Sequence, residues 1–190
     1  MSLRDTIYDR EQTPISYNQI MEILGKHGVR PKFHMSADLK GVPGDSAVFG
    51  ANDCAVILVN LKYGASKFAH WVAIIKKSDH YEFFDSLGHS LANIVTHDMS
   101  GSRALLMWSQ NKRVSSNKVK LQRHNSHVST CGCHVAVRLL HKSKDHTQYA
   151  RWLTRGFIEA DLSVSMLCYL DLLKIPEQNS RKIKGKTLVY

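Results

Sequence analysis

The chain has 190 residues, of which 43% are apolar and 22% are charged, and this composition excludes a disordered or collagen-like protein. The length suits one domain spanning residues 1–190, whose core needs no disulfide or metal to hold it. Residues 1–100 carry 10 basic and 11 acidic side chains, and residues 101–190 carry 16 and 5, so the net charges of the halves are −1 and +11. The second half is therefore a candidate polyanion-binding surface.

The predicted elements run from a helix through strands to further helices. Residues 16–27 predict a helix that Ser16 can cap and Gly28 follows, and residues 30–53 predict loops because proline and glycine punctuate them. Strand patterns follow at 54–60, 70–75, 80–84 and, more briefly, 119–124. From Cys131 onward the apolar residues recur with helical spacing. Strands in the middle and helices at the end predict an α+β domain, with a basic tail from about residue 178.

The sequence has no signal-peptide apolar region and no apolar run near the roughly 20 residues that cross a bilayer. Its four cysteines, Cys54, Cys131, Cys133 and Cys168, are too few and too scattered for a disulfide framework. We therefore expect a protein of a reducing, intracellular compartment that does not bind membranes.

The segment HVSTCGCHVAVRLL places Cys131 at the start of a predicted helix. Ser129 or Thr130 can cap that helix, and the helix dipole and its free N–H groups then favour the nucleophilic thiolate. Gly132 is expected to let a substrate backbone approach closely. A lone cysteine is more often a small buried side chain, and that interpretation suits the two cysteines further along the chain.

A nucleophilic cysteine needs a base, and His70 opens a strand of buried neighbours. If residues 78–79 form a two-residue hairpin loop, Val72 pairs with Asp85, and His70 lies on the same face one diagonal step away. Trp71 then faces the next layer. A three-residue loop would turn Asp85 to the other face. Taken singly, His70 could be a histidine at the core edge and Asp85 a turn residue, but together they indicate an activated pair.

The order His, Asp and then Cys-Gly at a helix start resembles that of the adenovirus maturation protease and the ubiquitin-like-protein-specific proteases. The motifs are VILVNLKYGASKFAHWVAI, YEFFDSLG and LQRHNSHVSTCGCHVAVRLL, within roughly residues 50–142. They look most similar to the compact enzymes of virophages, Polinton-like elements and large DNA viruses. This resemblance implies a papain-related cysteine protease fold, with a central mixed β-sheet packed by helices and the nucleophile at a helix N-terminus.

Carried over position by position, the resemblance makes Cys131 the nucleophile, His70 the base and Asp85 the residue that orients it. The family places a glutamine six to nine residues before the cysteine, where its amide helps to form the oxyanion hole. The candidates here are Gln122 and Asn125. We favour Gln122 because it keeps the family's side chain, with the backbone N–H of Cys131 as a second donor.

The resemblance further implies a cysteine endopeptidase that acts through a thioester. The expected substrates are viral capsid or other precursor proteins, and the expected location is the virion and the host-cell interior. We expect a monomer that needs no cofactor for its chemistry, with DNA as an activating polyanion. The candidate DNA-binding residues are Lys112, Arg113, Lys118, Lys120, Arg123, Lys182, Lys184 and Lys186.

Three alternatives remain open from the sequence. The same triad could serve a deubiquitinating or deSUMOylating enzyme or an acyltransferase, because a triad does not set the acyl acceptor. The basic half could belong to a protein that only binds DNA. A zinc-binding structural protein could use the crowded residues His124, His127, Cys131, Cys133 and His134, but C-x-C spacing without a second pair disfavours that site, and we expect no metal.

Overall fold

The described part of the chain, residues 3–123, 128–155 and 159–173 of a computed structural model, contains helices on both sides of one sheet. The helices are α1 (Leu3–Gln12), α2 (Tyr17–Lys26), α3 (Asp45–Phe49), α4 (Leu91–His97), α5 (Ala104–Ser109), α6 (Cys131–Leu140), α7 (His146–Leu153) and α8 (Ala160–Leu173), with a 3-10 turn at Ser36–Asp38. The strands are β1 (Lys32–Met35), β2 (Cys54–Tyr63), β3 (Ser66–Lys76), β4 (Tyr81–Phe84) and β5 (Val114–Ser116).

The five strands form a mixed sheet in the order β1-β2-β3-β4-β5. The central strands β2, β3 and β4 are antiparallel neighbours, and the edge strands β1 and β5 each run parallel to the strand beside them. The expected α+β class and central mixed sheet are therefore confirmed.

The hairpin between β3 and β4 has the two-residue loop that the sequence predicts. Lys76 pairs with Tyr81, and the N–H of Lys77 donates to the carbonyl of His80 at 2.9 Å. Continuing this register past the end of β4 places Asp85 opposite Val72, as expected.

Two apolar cores, one on each face of the sheet, fix its position between the helices. The first core joins Val56, Trp71 and Ala73 to buried side chains of α2, α6, α7 and α8. The second core joins Ile57 and Val72 to α3, α4 and α5. Because side chains alternate along a strand, Trp71 and His70 point to opposite faces of β3, as the sequence predicts.

Helix α2 confirms its prediction closely, since Ser16 caps it and forms a reciprocal capping box with Gln19.

The predicted strand at 119–124 is wrong over 119–123. The N–H groups of Leu121 and Gln122 both donate to the carbonyl of Ser86, which no ladder of paired strands allows, and the strand of this region is β5 instead. No described helix is long and apolar enough to span a membrane. The predicted basic tail from about residue 178 lies outside the described residues.

Candidate active site

Helix α6 begins at Cys131, as the sequence predicts, and Cys131 is 9% exposed. Thr130 occupies the capping position, but its side chain does not cap the helix. Its hydroxyl donates instead to Oδ1 of Asp161, so the expected cap is wrong in this respect. The backbone N–H groups of Trp71 and Gly132 help to lower the pKa of the Cys131 thiol.

His70 lies between the thiol and a carboxylate. Its Nε2 is 2.5 Å from Oδ1 of Asp85, and its ring lies close enough to the sulfur of Cys131 for each group to shift the pKa of the other. Burial alone would lower the pKa of His70, but the hydrogen bonds to Asp85 and Cys131 raise it to about 10. Burial alone would likewise raise the pKa of the Cys131 thiol, but the bond and charge of His70 lower it below its ordinary value. Both shifts favour an imidazolium paired with a thiolate over the neutral pair.

Asp85 is buried directly after β4, and it is both a turn residue and the partner of His70. Its Oδ1 accepts from the N–H of Leu87 at 3.0 Å, and its Oδ2 accepts from the N–H of His89 at 2.9 Å. Burial would raise its pKa, but the hydrogen bond from His70 and the nearby ring of His89 hold the pKa far below the ordinary value. The carboxylate is therefore ionised and fixed in place.

Two residues near Asp85 were missed by the sequence reasoning. Asn117 accepts the N–H of Asp85 at 2.8 Å and donates to its carbonyl at 2.7 Å, and no local pattern marks it. His89 follows four residues after Asp85, and its Nδ1 lies 2.9 Å from Oδ2 of that carboxylate. The only sequence signal for His89 was its position four residues after Asp85, a spacing that can bring two side chains together within a turn.

A cleft of about 360 Å³ opens at Cys131 and His70. Its walls are lined by Pro14, Ser66, Phe68, Ala69, Leu87, Gln122, Arg123, Val128 and Ser129. A cavity of this size with a mostly apolar lining is large enough for a small ligand or a short stretch of chain beside Cys131.

Gln122, the favoured oxyanion residue, lies in the wall of that cleft. Its Oε1 accepts the hydroxyl of Ser86 at 2.7 Å, and its Nε2 donates weakly to the carbonyl of Val128 at 3.4 Å. Ser86 therefore orients the amide so that its nitrogen faces the segment leading to Cys131. The alternative, Asn125, lies outside the described residues.

Gly132 has a different role from the one that the sequence suggested. A Cβ at this position would lie 2.7 Å from Cγ1 of Ile15 and 3.2 Å from Cδ1 of Trp71. These side chains fill the space beside its Cα, so the glycine permits close packing of α6 rather than the approach of a substrate.

The candidate DNA-binding residues fall into three groups. Three of them pair with carboxylates: Lys112 with Asp45, Arg113 with Asp79, and Arg123 with Glu11, Glu159 and Asp161. Two are exposed side chains that follow β5, Lys118 and Lys120. Three lie outside the described residues, Lys182, Lys184 and Lys186.

The residues of the alternative zinc site do not gather into a ligand set in the described part of the chain, where no group of three or more histidine, cysteine or acidic side chains is placed to hold a metal. His134 contacts Asp161. The thiol of Cys168 donates to the backbone carbonyl of Cys133. All four cysteines are free and buried. His124 and His127 lie outside the described residues.

No family model and no curated protein matches the sequence. Several solved structures are similar. The pS273R protease of ASFV has 15% sequence identity and a TM-score of 0.46, over 85% of this chain and 68% of that one. The SUMO protease Ulp1 has 15% identity and a TM-score of 0.40, over 92% and 86% of the two chains. ChlaDub1 of Chlamydia trachomatis has 14% identity and a TM-score of 0.39, over 92% and 79%.

Proposed function

We propose that the chain is a cysteine endopeptidase in which Cys131 is the nucleophile, His70 the general base and acid, and Asp85 the residue that orients His70. The observation that carries this proposal is the position of His70, which forms a hydrogen bond with the Asp85 carboxylate and shares the cleft wall with Cys131. A carboxylate, an imidazole and a thiol placed in this order beside a cleft form the arrangement that nucleophilic catalysis requires.

In the first step the thiolate of Cys131 attacks the scissile carbonyl, and the carbonyl oxygen becomes an oxyanion. Cys131 is the first residue of α6, where the helix does not use its own backbone N–H groups. The N–H of Cys131 and the amide nitrogen of Gln122 are the donors that would stabilise the oxyanion. The C–N bond then breaks as His70 gives its proton to the leaving amine.

In the second step a water molecule hydrolyses the thioester. His70, now neutral, takes a proton from the water as it attacks the carbonyl carbon, and the thiolate of Cys131 leaves to restore the ion pair. Asp85 keeps the imidazole in one tautomer throughout because it accepts from Nε2, so the other ring nitrogen faces the reacting atoms.

The biological role that we propose is the maturation of capsid or other virion precursor proteins by a monomeric enzyme in a reducing environment, as the motif resemblance implies. The chemistry uses no cofactor in this proposal. Packaged DNA would recruit or activate the enzyme through the basic half of the chain, where Lys118 and Lys120 are exposed.

The test is incubation of the enzyme with the co-encoded capsid and precursor proteins. Wild type is expected to cleave them, Cys131→Ala to be inactive, and Cys133→Ala to keep its activity, because Cys133 is a buried thiol two residues from the nucleophile. Equal cleavage by wild type and Cys131→Ala would contradict the assignment. Adding an amine acceptor separates hydrolysis from acyl transfer, since a transferase would form the amide of that acceptor.

A further inference from the structure

One buried carboxylate, Asp161 at the start of α8, holds both ends of the segment that joins Gln122 to Cys131. Asp161 is 1% exposed. Its Oδ2 accepts from the backbone N–H of Arg123 at 2.9 Å and from Nε of the same residue at 3.2 Å. Its Oδ1 accepts from the hydroxyl of Thr130 and lies 3.0 Å from Nε2 of His134.

The two oxygens therefore serve opposite flanks of the candidate oxyanion site. Oδ2 fixes the residue that follows Gln122, and Oδ1 fixes the residue that precedes Cys131. The separation between the Gln122 amide and the Cys131 N–H is then set through a single rigid group. Hydrogen bonds to an ionised acceptor are stronger than neutral ones, and a buried carboxylate has few alternative positions.

A second contact from α1 supports the same segment. The carbonyl of Glu11 accepts the N–H of Ser129 at 2.6 Å, and its carboxylate pairs with Arg123 at 2.7 Å. Arg123 and the residues just before Cys131 are thus held from two helices distant in the sequence. Arg123 is consequently engaged in this network, although its side chain is 42% exposed in the cleft wall.

We infer that Asp161 is a positioning residue of the acyl-transfer site: it sets the geometry of the oxyanion hole by holding Arg123 and Thr130, and it does not activate the thiolate. The inference rests on the proposed function. It separates two properties of the site, since His70 and Asp85 control the charge of the sulfur, whereas Asp161 contacts neither of them in the described hydrogen bonds.

Two reactions of Cys131 distinguish these properties without a natural substrate. Alkylation by iodoacetamide displaces iodide and forms no oxyanion, so its rate reports the thiolate alone. Acylation by p-nitrophenyl acetate adds the sulfur to a carbonyl, forms an oxyanion and expels p-nitrophenolate. The rate constant for acylation divided by that for alkylation therefore reports the oxyanion hole. Mass spectrometry follows both modifications at Cys131, and Cys131→Ala gives the background from the other cysteines.

The main variant is Asp161→Asn, which keeps the size of the side chain. Its NH₂ group can only donate, so either Arg123 or Thr130 loses the oxygen that accepts its hydrogen bond. We expect acylation to slow by at least about 10-fold while alkylation changes by less than about 3-fold, because a small displacement of oxyanion donors is costly. Glu82→Gln is the matched control: Glu82 is also a buried carboxylate, and it bonds Arg138 further along α6 at 2.5 Å. It should lose stability without changing the ratio.

The pair Thr130→Val and Thr130→Ser tests the same point if Asp161→Asn does not fold. Valine removes only the hydroxyl bond to Asp161, and serine keeps it. The ratio of the acylation rate to the alkylation rate should therefore fall in Thr130→Val and stay near the wild-type value in Thr130→Ser. An unchanged ratio in Thr130→Val, or an equal loss in both reactions, would overturn the inference. A wild-type Cys131 that reacts with neither reagent faster than the other cysteines would instead overturn the proposed function.

Discussion

Nε2 of His70 lies 2.5 Å from Oδ1 of Asp85, although the two residues belong to different segments 15 positions apart. The hairpin between β3 and β4 sets this contact, because its two-residue loop puts both side chains on the same face of the sheet. The turn after β4 then fixes the carboxylate through the N–H groups of Leu87 and His89. The pair is therefore a product of strand register and turn geometry together.

Replacing Asp85 with asparagine is expected to lower turnover by roughly 10²- to 10⁴-fold, because the imidazolium loses its charged partner and its fixed tautomer. The carboxylate raises the pKa of His70, so its removal lowers that pKa and weakens the stabilisation of the thiolate. The rate–pH curve for alkylation of Cys131 should therefore move to higher pH. Asp79→Asn, at the exposed hairpin loop, is the control. Superimposable pH curves for wild type and Asp85→Asn would contradict the role of Asp85.

Gln122→Ala is expected to reduce kcat by about 10²- to 10³-fold with a small change in KM, as for the loss of an oxyanion donor. Ser86→Ala leaves the amide in place but removes the hydroxyl that orients it at 2.7 Å, so its loss of kcat should be smaller and in the same direction. Steady-state kinetics on the cleaved precursor measures both. An unaltered kcat in Gln122→Ala would contradict the assignment of Gln122 and leave Asn125 as the candidate oxyanion residue.

Gly132→Ala should destabilise the fold by about 1–3 kcal/mol through overpacking, since the new Cβ would lie 2.7 Å from Cγ1 of Ile15. Adding Ile15→Ala should recover part of that loss, and a double-mutant cycle in urea measures the coupling. The control is Gly25→Ala in α2, where nothing lies within 4 Å of an added Cβ. That variant should gain up to about 1 kcal/mol from helix propensity. Equal effects at both glycines would contradict the packing argument.

The placement of His70 beside Asp85, and of Cys131 at a helix start, could be predicted from the sequence because each depends on local signals. A two-residue loop sets the register of His70 and Asp85, and a change from polar to apolar residues marks the start of α6 at Cys131. These signals act over a few residues, and the sheet then brings the segments together as the pattern requires.

The contacts that hold these three residues in place could not be predicted, because they come from residues distant in the sequence that carry no motif. Asn117 and Asp161 are single polar residues whose partners are set only by the folded chain. Thr130 shows the same limit: local propensity favours a cap, but tertiary contact with Asp161 takes its hydroxyl. Strand β1 was missed for a related reason, since only pairing with β2 makes a strand within a proline- and glycine-rich region.

Asp45, on the second-core side of the sheet, is expected to make stability fall in acid independently of the active site. Burial would raise its pKa, but Lys112 at 2.8 Å, Tyr81 and Trp108 lower it to about 2. A carboxyl group whose folded pKa lies below its unfolded pKa of about 4 stabilises the fold above pH 4, and this contribution is lost as the pH falls through about 2. Since the side chain is 30% exposed, we expect about 1 kcal/mol rather than the full value of the shift. Urea unfolding should show Asp45→Asn less stable than wild type by that amount at pH 6, with the difference shrinking towards pH 2 and vanishing below it. A difference that persists at the lower pH would mean that hydrogen bonding to Trp108 and Tyr81, rather than charge, is what Asp45 contributes.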